Sequence, residues 1–317
     1  MKTVIVVNGG DAPGINAAIA AYTRLAGQNG DRVIGAQGGF AGLLSGQLTE
    51  IDQAAVGLLS GRGGSWLRSS RAPALARPDA GEGLSRVLTE EKIDNLLLFG
   101  GDGTIKFVLP RLQTWGLSCI ALPATIDNDV PGTDYTLGHD SACNYAWQTI
   151  EGIRATANAL PGRIFLVETL GGDSGYLALA IAYACAADVV LLPEYDFGMD
   201  WLAQRLKITV ARRGYALLVL SEGVTAAERL TDEIPKMTGI RVRLTRLGHA
   251  QRGAAASHID RQRAVDMSRI AYEALKRGPR AGIVVSRDGA LMVQEGEATD
   301  AGKPAPDYQQ YAFVNGL

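Results

Sequence analysis

Short β-branched and apolar runs alternate with amphipathic stretches along nearly the whole chain, and this alternation constrains the fold more than any other feature. Apolar runs bounded by glycine turns read as strands covered on both faces, and the 3.6-residue periodicity between them reads as the covering helices. Strands are expected at 3–8, 31–37, 95–99, 118–124, 163–170, 188–193, 215–221, 240–247 and 282–286. Helices are expected at 15–28, 142–158, 175–187, 199–212 and 260–277. The pattern predicts an α/β protein with largely parallel sheets. Two sheets of about five strands each exceed one compact unit, so two doubly wound domains with an active-site cleft between them are expected. No Pro/Gly-rich linker separates them, which suggests that the chain crosses between domains more than once.

The bulk balance narrows the class of partner. A net charge of −2 argues against nucleic acid or an anionic membrane surface as the binding partner. The apolar runs fall far short of the roughly 20 residues that span a bilayer. Met1-Lys2-Thr3 leads straight into a strand and a glycine turn rather than a signal peptide, so a cytoplasmic address is expected. Cys119, Cys143 and Cys185 are an odd set without CxxC spacing, which fits a reducing compartment and core packing rather than a zinc site.

Three strand–turn–helix segments carry the chemistry. Asn8-Gly9-Gly10-Asp11-Ala12-Pro13-Gly14 follows a strand and opens a helix, so its glycines let backbone N–H groups approach an anion at a helix N-terminus. Gly100-Gly101-Asp102-Gly103-Thr104 repeats the arrangement and adds a carboxylate suited to holding Mg²⁺ through water beside a polyphosphate. Thr125-Ile126-Asp127-Asn128-Asp129 places two carboxylates two residues apart after a buried run. At a strand end they point the same way and Asn128 points elsewhere. One acid then sits near a metal-bound phosphate, and the other takes a proton from a hydroxyl. A lone DND would read more simply as a solvated turn. Two glycine turns in the same doubly wound chain make phosphoryl transfer the stronger reading. Neither turn is GxxxxGK[ST], so this is not a P-loop, and the absence of a GxGxxG turn weakens a nicotinamide reading.

Further candidates are cationic. Gly63-Gly64 through Arg71 forms another glycine turn, in which Arg71 is placed to bridge donor phosphates. Arg163, Arg243, His249 and Arg252 form a later group suited to a phosphomonoester, although each alone reads as a surface charge. Glu222 ends an apolar run where it can accept a sugar hydroxyl's hydrogen bond. His139 and His258 stand apart and read as capping or surface residues.

In this order the segments resemble the ATP-dependent 6-phosphofructokinase family, over nearly the whole chain. The resemblance rests on Gly9–Gly14, Gly63–Arg71, Gly100–Thr104, Thr125–Asp129 with Gly132-Thr133-Asp134-Tyr135-Thr136, and Leu247-Gly248-His249 with Gln251-Arg252-Gly253. It implies a donor-binding domain at 1–138 plus 251–303 and a sugar-phosphate domain at 139–250 plus 304–317. It implies transfer of the γ-phosphoryl of ATP to the 1-hydroxyl of fructose 6-phosphate, with Asp127 as general base and Asp102 and Asp129 organising Mg²⁺. Gly10, Arg71, Gly103 and Thr104 resemble donor contacts, and Thr125 a residue near the transferred phosphoryl. Leu170-Gly171-Gly172, Glu222, His249 and Arg252 occupy substrate positions. Arg163 and Arg243 resemble the pair supplied across a subunit interface, which implies a homo-oligomer, expected as a tetramer with shared active sites.

The chain also departs from the family. Leu170-Gly171-Gly172 stands where the family has Met-Gly-Arg, so the substrate arginine is missing at Gly172 and Asp173 adds negative charge. Gly103 matches ATP users, while Ala124 matches neither ATP nor pyrophosphate users. Lys106-Phe107 replaces a small glycine beside adenine, and Ala72 a usual aromatic. Arg154 matches the allosteric site, but Ala20, Ala21 and Tyr22 lie where a first-helix arginine is expected. The readings left open are a kinase of another sugar phosphate, pyrophosphate as donor, a NAD or lipid kinase, and a non-catalytic sugar-phosphate sensor.

Overall fold

The computed structural model describes residues 1–71, 73–278, 280–295 and 302–317. Its strands are β1 (Lys2–Val7), β2 (Arg32–Ala36), β3 (Leu48–Glu50), β4 (Asn95–Gly100), β5 (Cys119–Thr125), β6 (Leu137–Gly138), β7 (Arg163–Thr169), β8 (Val189–Leu191), β9 (Tyr215–Ser221), β10 (Arg241–Arg246), β11 (Ala281–Arg287) and β12 (Ala290–Glu295). They divide between two compact units, Met1–Ser141 with Arg252–Lys303 and Ala142–Gln251 with Pro304–Leu317. The chain changes unit at 141/142, 251/252 and 303/304, where the sequence suggested 138/139, 250/251 and 303/304. The first crossing falls inside the long helix His139–Ala159 rather than before it.

In the first unit the strand order is β12-β11-β5-β4-β1-β2-β3, with β6 paired to the end of β5. The interior pairs are parallel, and β3 and β12 are antiparallel edges. Sequence reading missed β3 and β6, which are too short to show a period, and the edge strand β12. Val4, Val6, Leu96, Leu98, Cys119 and Ala121 alternate onto one face, in one core with Phe40, Leu84, Leu109 and Leu112. Ile5, Val7, Leu97 and Phe99 take the opposite face and are fully buried. The helices Ile15–Gln28 and His258–Lys276 pack against each other and against β2 and β5. Burial on both faces is why these strands read as unbroken apolar runs. Each such side chain is worth about 1.5–3 kcal/mol relative to exposure.

From β1 the chain runs outward to β2 and β3, whereas β4 and β5 lie on the other side of β1. The strand order therefore reverses between β1 and β4. The loops leaving their carboxyl ends diverge and open a crevice, the usual ligand position in a doubly wound sheet. Both glycine turns identified in the sequence leave from this point.

The second unit is built on four parallel strands in the order β10-β7-β9-β8. Ile164, Leu166, Leu218 and Leu220 join Leu202, Leu206, Leu230 and Ile234 in its core. Asn315, in the last helix Tyr308–Asn315, is fully buried. Its Oδ1 accepts from the Val190 amide at 2.9 Å and its Nδ2 donates to the Val190 carbonyl at 3.1 Å. The tail thus satisfies the open edge of β8, which would otherwise leave a buried backbone pair unmet. Cys119 and Cys185 are buried, in keeping with their reading as core residues, while Cys143 is half-buried; none of the three is in a disulfide. Among the described residues, no helix is long and apolar enough to cross a membrane.

Candidate active site

The crevice of the first unit holds a cavity of about 490 Å³ lined by Gly10, Arg71, Asp102, Gly103, Thr104, Thr125, Asp127, Asp129 and Arg252, among others. Its floor is the pair of glycine turns. Asn8 ends β1 by donating its amide to Phe99 O at 2.9 Å, and its side chain donates to Thr104 Oγ1 at 2.9 Å. The Thr104 hydroxyl therefore ties the two turns together. At Gly10 an added Cβ would meet the Arg252 guanidinium, the end of a flexible side chain, whereas Gly9 and Gly14 hold φ of 86° and 91° that other residues rarely adopt. At Gly103 an added Cβ would meet nothing within 4 Å, so its missing side chain leaves open space over the turn rather than relieving a clash.

Arg71 is delivered by the 63–71 turn, which is held from three directions. Gly9 N–H donates to Ser70 O at 3.0 Å, and Gly64 N–H donates to Arg252 O at 3.3 Å. Asn16, buried on the first helix, accepts from Trp66 N–H at 2.8 Å and donates to Arg62 O at 3.1 Å. Residue 72, where an aromatic is replaced by alanine, lies outside the described residues.

The paired carboxylates lie beyond β5, in a turn rather than on an extended strand end. Asn128 is in the left-handed region at φ 54°, a conformation asparagine tolerates better than most residues. Its Oδ1 accepts from Thr136 N–H at 2.9 Å and its Nδ2 donates to Asp134 O at 3.3 Å. Asp127 and Asp129 both line the cavity, while Asn128 turns into its own loop. The sequence anticipated that outcome, but its cause is the left-handed turn and not strand alternation.

Two residues that sequence reading passed over hold this loop. His139 was expected to cap or face solvent; instead its Nδ1 lies 2.8 Å from the carbonyl of Ile126, next to Asp127. Burial lowers the His139 pKa below its ordinary value, so the neutral ring donates this bond. Asp260 is fully buried on the helix His258–Lys276. It accepts from Tyr135 OH, from Gly138 N–H at 2.9 Å, and from Ser141 N–H at 2.8 Å and Ser141 Oγ at 2.5 Å. The Arg263 guanidinium covers the Tyr135 ring at 3.2 Å. Ser257-x-x-Asp260 has the outline of a capping box, which would have pointed to the helix start but not to these partners. Replacing Asp260 with alanine leaves buried donors unmet at three residues, so a stability loss of at least about 3 kcal/mol is expected. Urea unfolding with an unchanged m-value checks it, and a loss under about 1 kcal/mol would contradict the tether.

Four aspartates, Asp11, Asp102, Asp127 and Asp129, line the cavity and make it acidic. Burial, then the neighbouring charges of Asp127 and Asp102, raises the Asp129 carboxyl to about 6. Asp129 Oδ1 is buried without a hydrogen-bond partner among the described residues. Lys303 donates to the backbone carbonyl of Asn128, and burial lowers its ammonium to about 8 against the pull of Asp129 and Asp134. An orphaned carboxylate oxygen in a negative pocket suits a hard cation. Among the described residues no three His, Cys, Asp or Glu groups close on one point. The donor set therefore fits a hydrated divalent ion that shares its coordination with substrate phosphate, not an all-protein cage.

The second unit carries most of the remaining candidates. Arg252 falls in the first unit, its guanidinium beside Gly10, and His249 falls in the second. His249 is exposed on the short turn Gly248–Gln251 after β10. Arg163 opens β7 and Arg243 is exposed within β10; the parallel register pairs Arg163 with Arg241 and puts Arg163 and Arg243 on one sheet face. They sit toward the amino ends of their strands, away from the carboxyl-end turn that carries Leu170-Gly171-Gly172. Glu222 is with that turn: its Oε1 accepts from Gly171 N–H at 3.0 Å and Gly172 N–H at 2.8 Å. The buried Gln251 Oε1 accepts from Leu170 N–H at 2.9 Å. Three successive amides are thus taken up by side chains. Nothing lies within 4 Å of a Cβ added at Gly172, which is at φ 58°.

A phosphofructokinase family model matches residues 2–275. The chain is 35% identical over 308 residues to a protein of Aquifex aeolicus named ATP-dependent 6-phosphofructokinase, covering 96% of each. It is 38% identical over 290 residues to one of the same name from Lactobacillus johnsonii, covering 91% of this chain and 90% of that one. The solved T-state phosphofructokinase of Pichia pastoris superimposes with a TM-score of 0.85 at 27% identity, over 93% of this chain. This chain spans 34% of that longer one.

Proposed function

This chain belongs to the phosphofructokinase family, and on that footing we propose that it is an ATP-dependent 6-phosphofructokinase. It transfers the γ-phosphoryl group of ATP to the 1-hydroxyl of fructose 6-phosphate. The observation that carries this reading is the convergence of Asp102, Asp127 and Asp129 with two glycine turns on one cavity at the strand-order reversal. Relatives named as ATP-dependent, and the open space over Gly103, do not favour pyrophosphate as donor.

In this reading the first unit binds the donor and the second the sugar phosphate. The turns at Gly10 and Gly103 hold the donor phosphates, Arg71 places positive charge beside them, and Arg252, on the same cavity, serves the sugar phosphate. Asp127 takes the proton of the sugar's 1-hydroxyl as that oxygen attacks. Thr125 lies beside the phosphoryl in flight. Asp102 and Asp129 are the residues that would hold Mg²⁺, which would supply charge neutralisation on the phosphate oxygens. The catalytic gain comes from positioning and charge stabilisation rather than covalent chemistry.

Glu222, His249 and the 170–172 turn serve the sugar phosphate. Glu222 also fixes the shape of that turn, so its removal would alter two things at once. Arg163 and Arg243, on one sheet face and offset by two residues in register, are the pair offered to a neighbouring subunit in what we read as a cytoplasmic homotetramer with shared sites. The absence of an arginine at Gly172 is the feature that tempers fructose 6-phosphate as the best substrate.

The test is steady-state phosphoryl transfer with Mg²⁺, pairing ATP or pyrophosphate with fructose 6-phosphate and a panel of other sugar phosphates. Efficient turnover of ATP with fructose 6-phosphate is expected. A stronger signal with another sugar or donor overturns the substrate assignment, and binding without turnover makes the protein a sensor.

A further inference from the structure

Building on the phosphoryl-transfer reading, we propose that Lys303 is a positioning residue for the reaction, its ammonium anchoring the Asp127–Asn128–Asp129 turn through the carbonyl between the two carboxylates. The contact is direct: Lys303 Nζ donates to Asn128 O. The other tethers of this turn that were described above come from Thr136, Asp134 and His139, all near it in sequence. Lys303 reaches it across 175 positions of the chain, from the last residue of the first unit.

Two features favour a role in chemistry over simple packing. Asn128 is held at φ 54°, so the peptide that Lys303 grips is the one whose orientation sets the spacing of Asp127 and Asp129. The ammonium is also half-buried beside Asp129 and Asp134, an expensive place for a cation that an apolar side chain would occupy at less cost. The turn it grips carries two of the four carboxylates that line the cavity, Asp11, Asp102, Asp127 and Asp129. A displacement of about 1 Å in such a constellation costs on the order of a hundredfold in rate.

The experiment compares the full-length protein with Lys303→Met and Lys303→Arg in two readouts. Lys303→Met is expected to lower kcat by about ten- to a hundredfold. KM for ATP and for fructose 6-phosphate should stay within about twofold, because donor and sugar contacts are untouched. Amide hydrogen exchange over residues 126–130 should quicken in Lys303→Met and stay near wild type in Lys303→Arg, which should also keep most of kcat. Unchanged exchange in Lys303→Met overturns the anchor. Quickened exchange with an unchanged kcat overturns the link to chemistry and leaves only a structural tie. If the wild-type protein itself fails to turn over, the functional reading fails, and exchange alone still decides the anchor.

Discussion

Asp127→Ser is expected to lower kcat by about 10³–10⁴-fold while fructose 6-phosphate still binds with nearly wild-type affinity. The carboxylate lines the cavity formed by the glycine turns, and the reading gives it the hydroxyl proton to remove. Loss of a positioned general base costs about 10²–10⁴ in rate. Serine is smaller and uncharged, so it neither accepts the proton at neutral pH nor crowds the sugar. Binding survives because the proposed sugar contacts are carried by other residues, Glu222 and His249 among them. Calorimetric titration with the sugar phosphate, set beside steady-state kinetics, separates the two effects. Turnover within about tenfold of wild type would remove Asp127 from the base role.

Asp129→Asn is expected to abolish useful turnover and, at the same time, to make the folded protein more stable. The Asp129 carboxyl is raised from 3.8 to about 6, chiefly by burial and then by Asp127 and Asp102. An acid whose folded pKa lies above its unfolded value binds its proton more tightly in the folded state. It therefore costs nothing below pH about 4, and its full penalty is felt above pH about 6. A shift of this size corresponds to on the order of 3 kcal/mol. The neutral amide should accordingly raise Tm by several degrees at pH 8 and by almost nothing at pH 4. Thermal melts of both proteins, in chelator and at the two pH values, check the sign. A variant that melts below wild type at pH 8 would show that Asp129 is compensated in the folded state by charges not accounted for above. The same shift predicts that, at Mg²⁺ below saturation, activity falls as pH drops toward about 6, because protons compete with the cation for the carboxylate, and that added Mg²⁺ moves the fall to lower pH. Function here is placed at the expense of stability, as expected of carboxylates gathered in one pocket.

The two expectations share a cause that is visible in the sequence only in part. The i, i+2 spacing announced that Asp127 and Asp129 act together. Their convergence rests on a left-handed Asn128, on His139 at the Ile126 carbonyl, and on Asp260 binding the 135–141 segment from a distant helix. Asp260 is separated from Gly138 by 122 positions, and no local pattern reports a contact of that range. A buried carboxylate with several donors looks the same in a sequence as an ordinary acid in the first turn of a helix.

The sequence by itself determined the α/β class and the strands β1, β4, β5, β7 and β9. Strands buried on both faces must be apolar throughout, and that demand writes itself into consecutive residues. It also determined the glycine turns, because positive φ, as at Gly9 and Gly14, is a conformation other residues rarely adopt. Only the tertiary structure decided which charged residues share a site. Arg252 and His249, three positions apart, fall in different units, while Lys303 arrives beside Asp129 from the far end of the first unit. Arg163 and Arg243 share a sheet face because the parallel register of β7 and β10 puts them there. Charged side chains are tolerated at many exposed positions at nearly equal cost, so local sequence constrains them weakly. Their grouping is fixed by strand order and register, which are properties of the packed sheet.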